Sequence, residues 1–163
     1  MTNQKKVLFV DDDVEFQSLM ASHLANALNT KITCVSHPYE AIERMTERRF
    51  DLILLDWRMP SLRGDAALKN FERLWMESSF IPSKWFKEKI PVIVLSAESP
   101  SRVKKIETEF FHQIGYVSKR QNATQILSEV QALFAEELQK SERPRHLSVV
   151  RDTEMPEQTA TSY

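Results

Sequence analysis

The chain alternates between short, unbroken apolar runs and longer stretches in which apolar residues recur every three or four positions. The runs VLFV (7–10), LILL (52–55) and VIVL (92–95) are short and bounded by turn-forming residues, so they read as buried strands. β-Branched content marks another strand at 31–35, and a short fifth is expected at 115–118. Between them, Phe16, Leu19, Met20, Leu24, Ala27 and Leu28 predict a first helix with Asp13 as its N-cap. Pro38 suits the first turn of a second helix carrying Ala41, Ile42 and Met45, and Ala67, Leu68, Phe71, Leu74 and Trp75 mark a third. Val103, Ile106, Phe110 and Ile114 predict a fourth helical face. Asn122 and Gln125 form a capping box ahead of a fifth helix with Ile126, Val130, Leu133, Phe134 and Leu138. This alternation predicts an α/β fold, a five-stranded parallel sheet flanked by five helices on both faces.

A doubly wound sheet binds ligands beyond the carboxyl ends of its strands. There the sequence places its chemistry: the first strand runs into Asp11, Asp12 and Asp13, the third into Asp56, the fourth into Ser96, and the fifth leads to Lys119. Carboxylates about 4 Å apart repel by roughly 1 to 4 kcal/mol per pair at effective dielectrics between about 80 and 20. Against a fold stability of about 5 to 15 kcal/mol, three such pairs among Asp11, Asp12 and Asp56 call for protonation or a cation. An all-oxygen donor set favours magnesium over zinc, and magnesium leaves room for water and a phosphate oxygen. Such a pocket suits phosphoryl chemistry, with Asp56 as nucleophile and Lys119 as a neutralising ammonium.

Composition narrows the class. At 163 residues, with 42% hydrophobic and 28% charged residues, the chain suits one domain with a tail. The net charge of −1 gives no electrostatic reason to expect direct nucleic-acid binding. No stretch reaches the roughly 18 apolar residues of a membrane span, so no membrane insertion and a cytoplasmic location are expected. The single cysteine, Cys34, excludes a disulfide framework and is expected to be a small buried strand residue. His23, His37, His112 and His146 lack metal-ligand spacing.

The motifs FVDDD, LILLDWRMP followed by SLRG, PVIVLSAE and GYVSK, in that order over roughly residues 5–138, resemble the receiver domain of two-component response regulators, the CheY-like family. The resemblance implies a flavodoxin-like fold and phosphorylation of Asp56 by a sensor histidine kinase or phosphotransfer protein. It implies Mg2+ held by Asp11, Asp12, Asp56 and the main-chain carbonyl of Arg58. It further implies that Ser96, Ala97 and Lys119 bind the phosphoryl group and that Tyr116 is a switch aromatic. Signalling would then pass through the face made by the fourth helix, the last two strands and the last helix, to an unidentified downstream protein. The family is one of phospho-accepting signalling domains rather than enzymes.

Two departures stand out. Lys119 is followed by Arg120 where the family commonly has proline after a cis bond, which bears on how Lys119 is aimed. The stretch 77–89, within an insertion at about 76–90, is longer than the usual connection of about 2 to 6 residues and joins a helix end to a strand start. It therefore lies at the pole opposite the acidic pocket. Its Phe80, Ile81, Trp85 and Phe86, with the preceding Trp75, form either a satellite core or a docking patch for a partner or a second copy, as in a homodimer. With the domain ending near residue 140, the polar residues 141–163 read as a disordered tail, so a stand-alone receiver is expected. Two other classes remain open: a receiver-like interaction module without phosphotransfer, and a haloacid-dehalogenase-type phosphatase with Asp11 and Asp13 as its acidic pair. The phosphatase needs a further acidic pair at a later strand end, where Glu98 stands alone.

Overall fold

The computed structural model of the protein describes residues 4–60, 62–77, 85 and 87–142. Five parallel strands form one sheet in the order β2-β1-β3-β4-β5: β1 Lys5–Val10, β2 Thr30–Val35, β3 Leu52–Asp56, β4 Ile90–Ser96 and β5 Phe111–Ser118. Four helices pack on it: α1 Val14–Leu28, α2 Pro38–Glu47, α3 Gly64–Glu77 and α4 Ala123–Glu142. Alternate strand residues point to opposite faces. Val7, Phe9, Leu52, Leu54, Ile93 and Leu95 meet Met20 and Leu24 of α1 and Ile126, Val130 and Phe134 of α4. Leu8, Val10, Ile53, Leu55, Val92 and Val94 meet Ala41 and Met45 of α2 and Ala67, Leu68, Phe71 and Trp75 of α3.

Local signals behave as their chemistry requires. Asp13 caps α1 by accepting the Phe16 N–H at 2.9 Å. In a chain with only two glycines, Asn29 takes the left-handed conformation that ends the helix, at φ 49°. Asn122 and Gln125 exchange their capping-box hydrogen bonds at 3.0 and 3.3 Å. Helix α4 runs past residue 140 to Glu142, while residues 143–163, like Phe80, Ile81 and Phe86, lie outside the described residues.

The predicted fourth helix is not formed, so four helices rather than five flank the sheet among the described residues. A single 3-10 turn, Pro100–Arg102, follows β4. The chain then doubles back on β5: Glu107 bridges His112 antiparallel, Gln113 donates to the Ile106 carbonyl at 2.9 Å, and Thr108 donates to the Phe111 carbonyl at 2.9 Å. The Ser99 side chain, at the start of this turn, makes no capping hydrogen bond and pairs with that of Ser101. The apparent helical stripe is split between the two sides of the sheet, with Val103, Ile106 and Phe110 on one and Ile114 on the other. β5 accordingly starts at Phe111, four residues before the expected strand, and carries a register shift at Ile114. Cys34 is exposed, not buried, because β2 is an edge strand whose central residues are open to solvent. Trp75 is in the main core, 5.7 Å from the Phe111 ring and 5.9 Å from that of Phe110, and Trp85 is half-buried.

Candidate functional site

Sheet register assembles the site. Val10 lies beside Leu55 and Asp56 beside Leu95, so the residue leaving β1, Asp11, meets the last residue of β3. Ser96 pairs with Ser118, and Lys119 follows, its N–H donating to the Ser96 carbonyl at 2.9 Å. Gly64 lets α3 start against this point: a Cβ there would sit 3.0 Å from the Asp56 carbonyl oxygen and 3.1 Å from a Leu55 methyl. Buried Gln17 of α1 ties the ends of β1 and β2 by donating to the Phe9 and Val35 carbonyls, both at 2.9 Å. Gln17 lies on the apolar stripe of α1, three residues before Met20 and seven before Leu24, so its spacing marked it as inward-facing although its polarity hid it.

Asp11 and Asp56 are buried and Asp12 is exposed, and one carboxylate oxygen from each lies within 4.8 Å of the others. Lys119 neutralises the inner pair, with its Nζ 2.7 Å from Asp11 and 3.3 Å from Asp56. That ammonium lies 4.9 Å from the Phe16 ring centroid, a cation–π contact that steadies it. Lys119 therefore reaches the acidic pair without the family's proline, and no described peptide bond is cis. Main-chain N–H groups add to the carboxylates' partners: Asp13 donates to Asp11 at 3.0 Å and Arg58 to Asp56 at 3.3 Å.

Burial dominates the electrostatics. It pushes the Asp56 carboxyl up from its ordinary range to about 7, with Lys119 opposing the rise and Asp11 adding to it. Burial also raises Asp11, again against Lys119. A group of three hard oxygen donors, two of them held above the usual carboxylate range, is chemically matched to a divalent cation such as magnesium.

The remaining predicted residues fall into two places. Ala97, with Asp56, Arg58 and Lys119, lines a cavity of about 690 Å³ over the acidic group. Ser96 is fully buried at the end of β4, its Oγ accepting the Glu98 N–H at 3.0 Å. Tyr116 packs from the α2/α3 side, and its hydroxyl donates to the Glu98 carbonyl and, at 3.3 Å, to that of Ser96. Glu98, set aside in the sequence as an isolated acid, proves to be a junction. Its carboxylate also pairs with Arg58 at 3.1 Å, joining the loops that leave β3 and β4.

The geometry agrees with comparisons to known proteins. The family model described as the response regulator receiver domain matches residues 7–131. The chain is 28% identical over 142 residues to the transcriptional regulatory protein ResD of Bacillus subtilis, covering 86% of this chain and 52% of that protein. It is 28% identical over 96 residues to the transcriptional regulatory protein ZraR of Klebsiella oxytoca, covering 59% of this chain and 19% of that protein. It thus spans about half or less of these curated relatives. In fold, it is similar to the Francisella response regulator 1452 receiver domain, with TM-score 0.59, 24% identity, and coverage of 82% of this chain and 99% of that one. The chemotaxis protein CheY4 of Vibrio cholerae gives TM-score 0.57 at 21% identity, covering 80% of this chain and 99% of that one.

Proposed function

Because the chain belongs to the response regulator receiver domain family, we propose that it accepts a phosphoryl group on Asp56 from the phosphohistidine of a sensor kinase or phosphotransfer protein. The observation that carries this reading is the convergence of buried Asp11 and Asp56 on the Lys119 ammonium at the strand ends, beneath an open cavity. In the transfer an Asp56 carboxylate oxygen forms a bond to phosphorus as the donor's N–P bond breaks, and the imidazole leaves with the electron pair. Asp11, Asp12, Asp56 and the Arg58 carbonyl would hold Mg2+, which when bound neutralises charge on the transferring oxygens. Lys119 sits within reach of the same oxygens and balances the charge they bring. Ser96 now uses a lone pair for Glu98, which leaves its own proton for a phosphoryl oxygen. Ala97 offers its main-chain N–H from the cavity wall.

The consequence for signalling follows from the loop after β4. Tyr116 hangs from the Ser96 and Glu98 carbonyls, so drawing Ser96 toward a phosphoryl group displaces its anchor. The responsive face is then the 97–110 segment with β5 and α4, in place of the fourth helix expected from the sequence. A protein partner in the cytoplasm reads that face. The described residues contain no helix long and apolar enough to cross a membrane. Incubation with magnesium and acetyl phosphate is expected to add one phosphoryl group by intact mass, and Asp56→Asn to abolish it. No gain, under conditions that label a control receiver, would leave a binding module without phosphotransfer.

A further inference from the structure

The cavity over Asp56 carries cationic side chains beyond those that pair with its carboxylates. Four cationic side chains, Arg58, Arg102, Lys119 and Arg120, line it against three carboxylates, Asp13, Asp56 and Glu98. Two of the four are engaged: Lys119 with Asp11 and Asp56, and Arg58 with Glu98. Among the described residues the guanidinium groups of Arg102 and Arg120 have no hydrogen-bond or ion-pair partner. They come from different loops. Arg102 ends the 3-10 turn after β4, its N–H held by the Ser99 carbonyl at 3.0 Å. Arg120 follows β5, its N–H held by Ser118 Oγ at 3.2 Å.

We propose that Arg102 and Arg120 form a second anion site in this cavity, which takes a carboxylate or phosphate carried by the phosphodonor beside the phosphoryl group in transfer. The inference rests on the phosphoacceptor reading of Asp56. A guanidinium presents a fork of donors matched to these anions, and it stays charged throughout the working pH range. The two arginines exchange no proton. They hold the donor's second anion while Asp56 forms its O–P bond and the donor's own P–O or P–N bond breaks. The residue after Lys119, where the family commonly has proline, thereby gains a role in choosing the donor.

The test uses the full chain with magnesium and reads initial labelling rates by intact mass. One arm compares succinyl phosphate, which carries a second carboxylate, with acetyl phosphate, which does not. The other compares phosphohistidine peptides with Glu or Gln beside the histidine. The acidic donor is expected to react about three- to tenfold faster in at least one arm, the range for one or two exposed ion pairs. In an Arg102→Gln/Arg120→Gln variant that ratio should approach unity. A preference in the succinyl phosphate arm identifies a small-molecule source, and one in the peptide arm alone identifies a protein donor. Labelling with no preference in either arm, or a preference that survives the double substitution, overturns the second site and leaves Asp56 as acceptor. No labelling by any donor overturns both.

Discussion

Raising the pH in metal-free buffer should destabilise this protein, against the common expectation for an acidic site. Asp56 has an ordinary value of 3.8 and is pushed to about 7 when folded, chiefly by burial. Between those values the native state holds a proton that the unfolded chain has released, so stability falls as pH rises. From pH 5 to pH 8 the gap spans about two units at 1.36 kcal/mol each, a loss of about 3 kcal/mol. For a chain of this size that corresponds to a melting temperature lower by roughly 6 to 12 °C. Circular dichroism melts in a chelator at the two pH values measure it directly. Asp56→Asn removes the titrating group and should flatten most of the slope, the remainder belonging to Asp11, which is raised for the same reason. Magnesium should reverse the loss and stabilise more at pH 8 than at pH 5. A slope in Asp56→Asn as steep as in the unmodified protein would refute the assignment of the buried charge to Asp56.

Three further measurements probe the site and its support. Asp12→Ala should abolish the magnesium-induced rise in melting temperature, since only two of the three clustered carboxylates remain. Lys119→Ala strips the ammonium from two buried carboxylates and should cost about 3 kcal/mol at pH 8 without metal, and less at pH 5, by chemical denaturation. Gly115→Ala would bring a Cβ within 2.3 Å of a Leu133 methyl and should cost about 1 to 3 kcal/mol, most of it recovered in a Leu133→Ala background.

The acidic pocket was legible because each of its residues ends a strand, and strand ends are marked by a sharp change from apolar to polar residues. The apolar runs ending at Asp11, Asp56 and Ser96 are buried strands whose register brings those residues together. The fourth helix was misread because the spacing of Val103, Ile106, Phe110 and Ile114 also fits a chain that turns back on itself, with Ile114 facing the other side of the sheet. Spacing alone does not separate the two, and the absence of a working cap at Ser99 emerges only with coordinates. Glu98 was hidden for another reason. Its role comes from its own N–H, its carbonyl and its carboxylate acting at once on Ser96, Tyr116 and Arg58, and those partners lie on β4, on β5 and just past β3. The unpaired arginines of the cavity were illegible in the same way, since Arg102 and Arg120 are 18 positions apart and come to line one cavity only through the sheet.

The central claim is that Asp56 carries the phosphoryl group. Borohydride reduces an aspartyl phosphate to homoserine, so treating the protein after exposure to magnesium and acetyl phosphate marks the acceptor permanently. Peptide sequencing by tandem mass spectrometry is expected to find homoserine at residue 56 and aspartate at 11, 12 and 13. Homoserine at any of those three positions, or unchanged aspartate at 56 in a sample that has gained phosphoryl mass, would contradict the account.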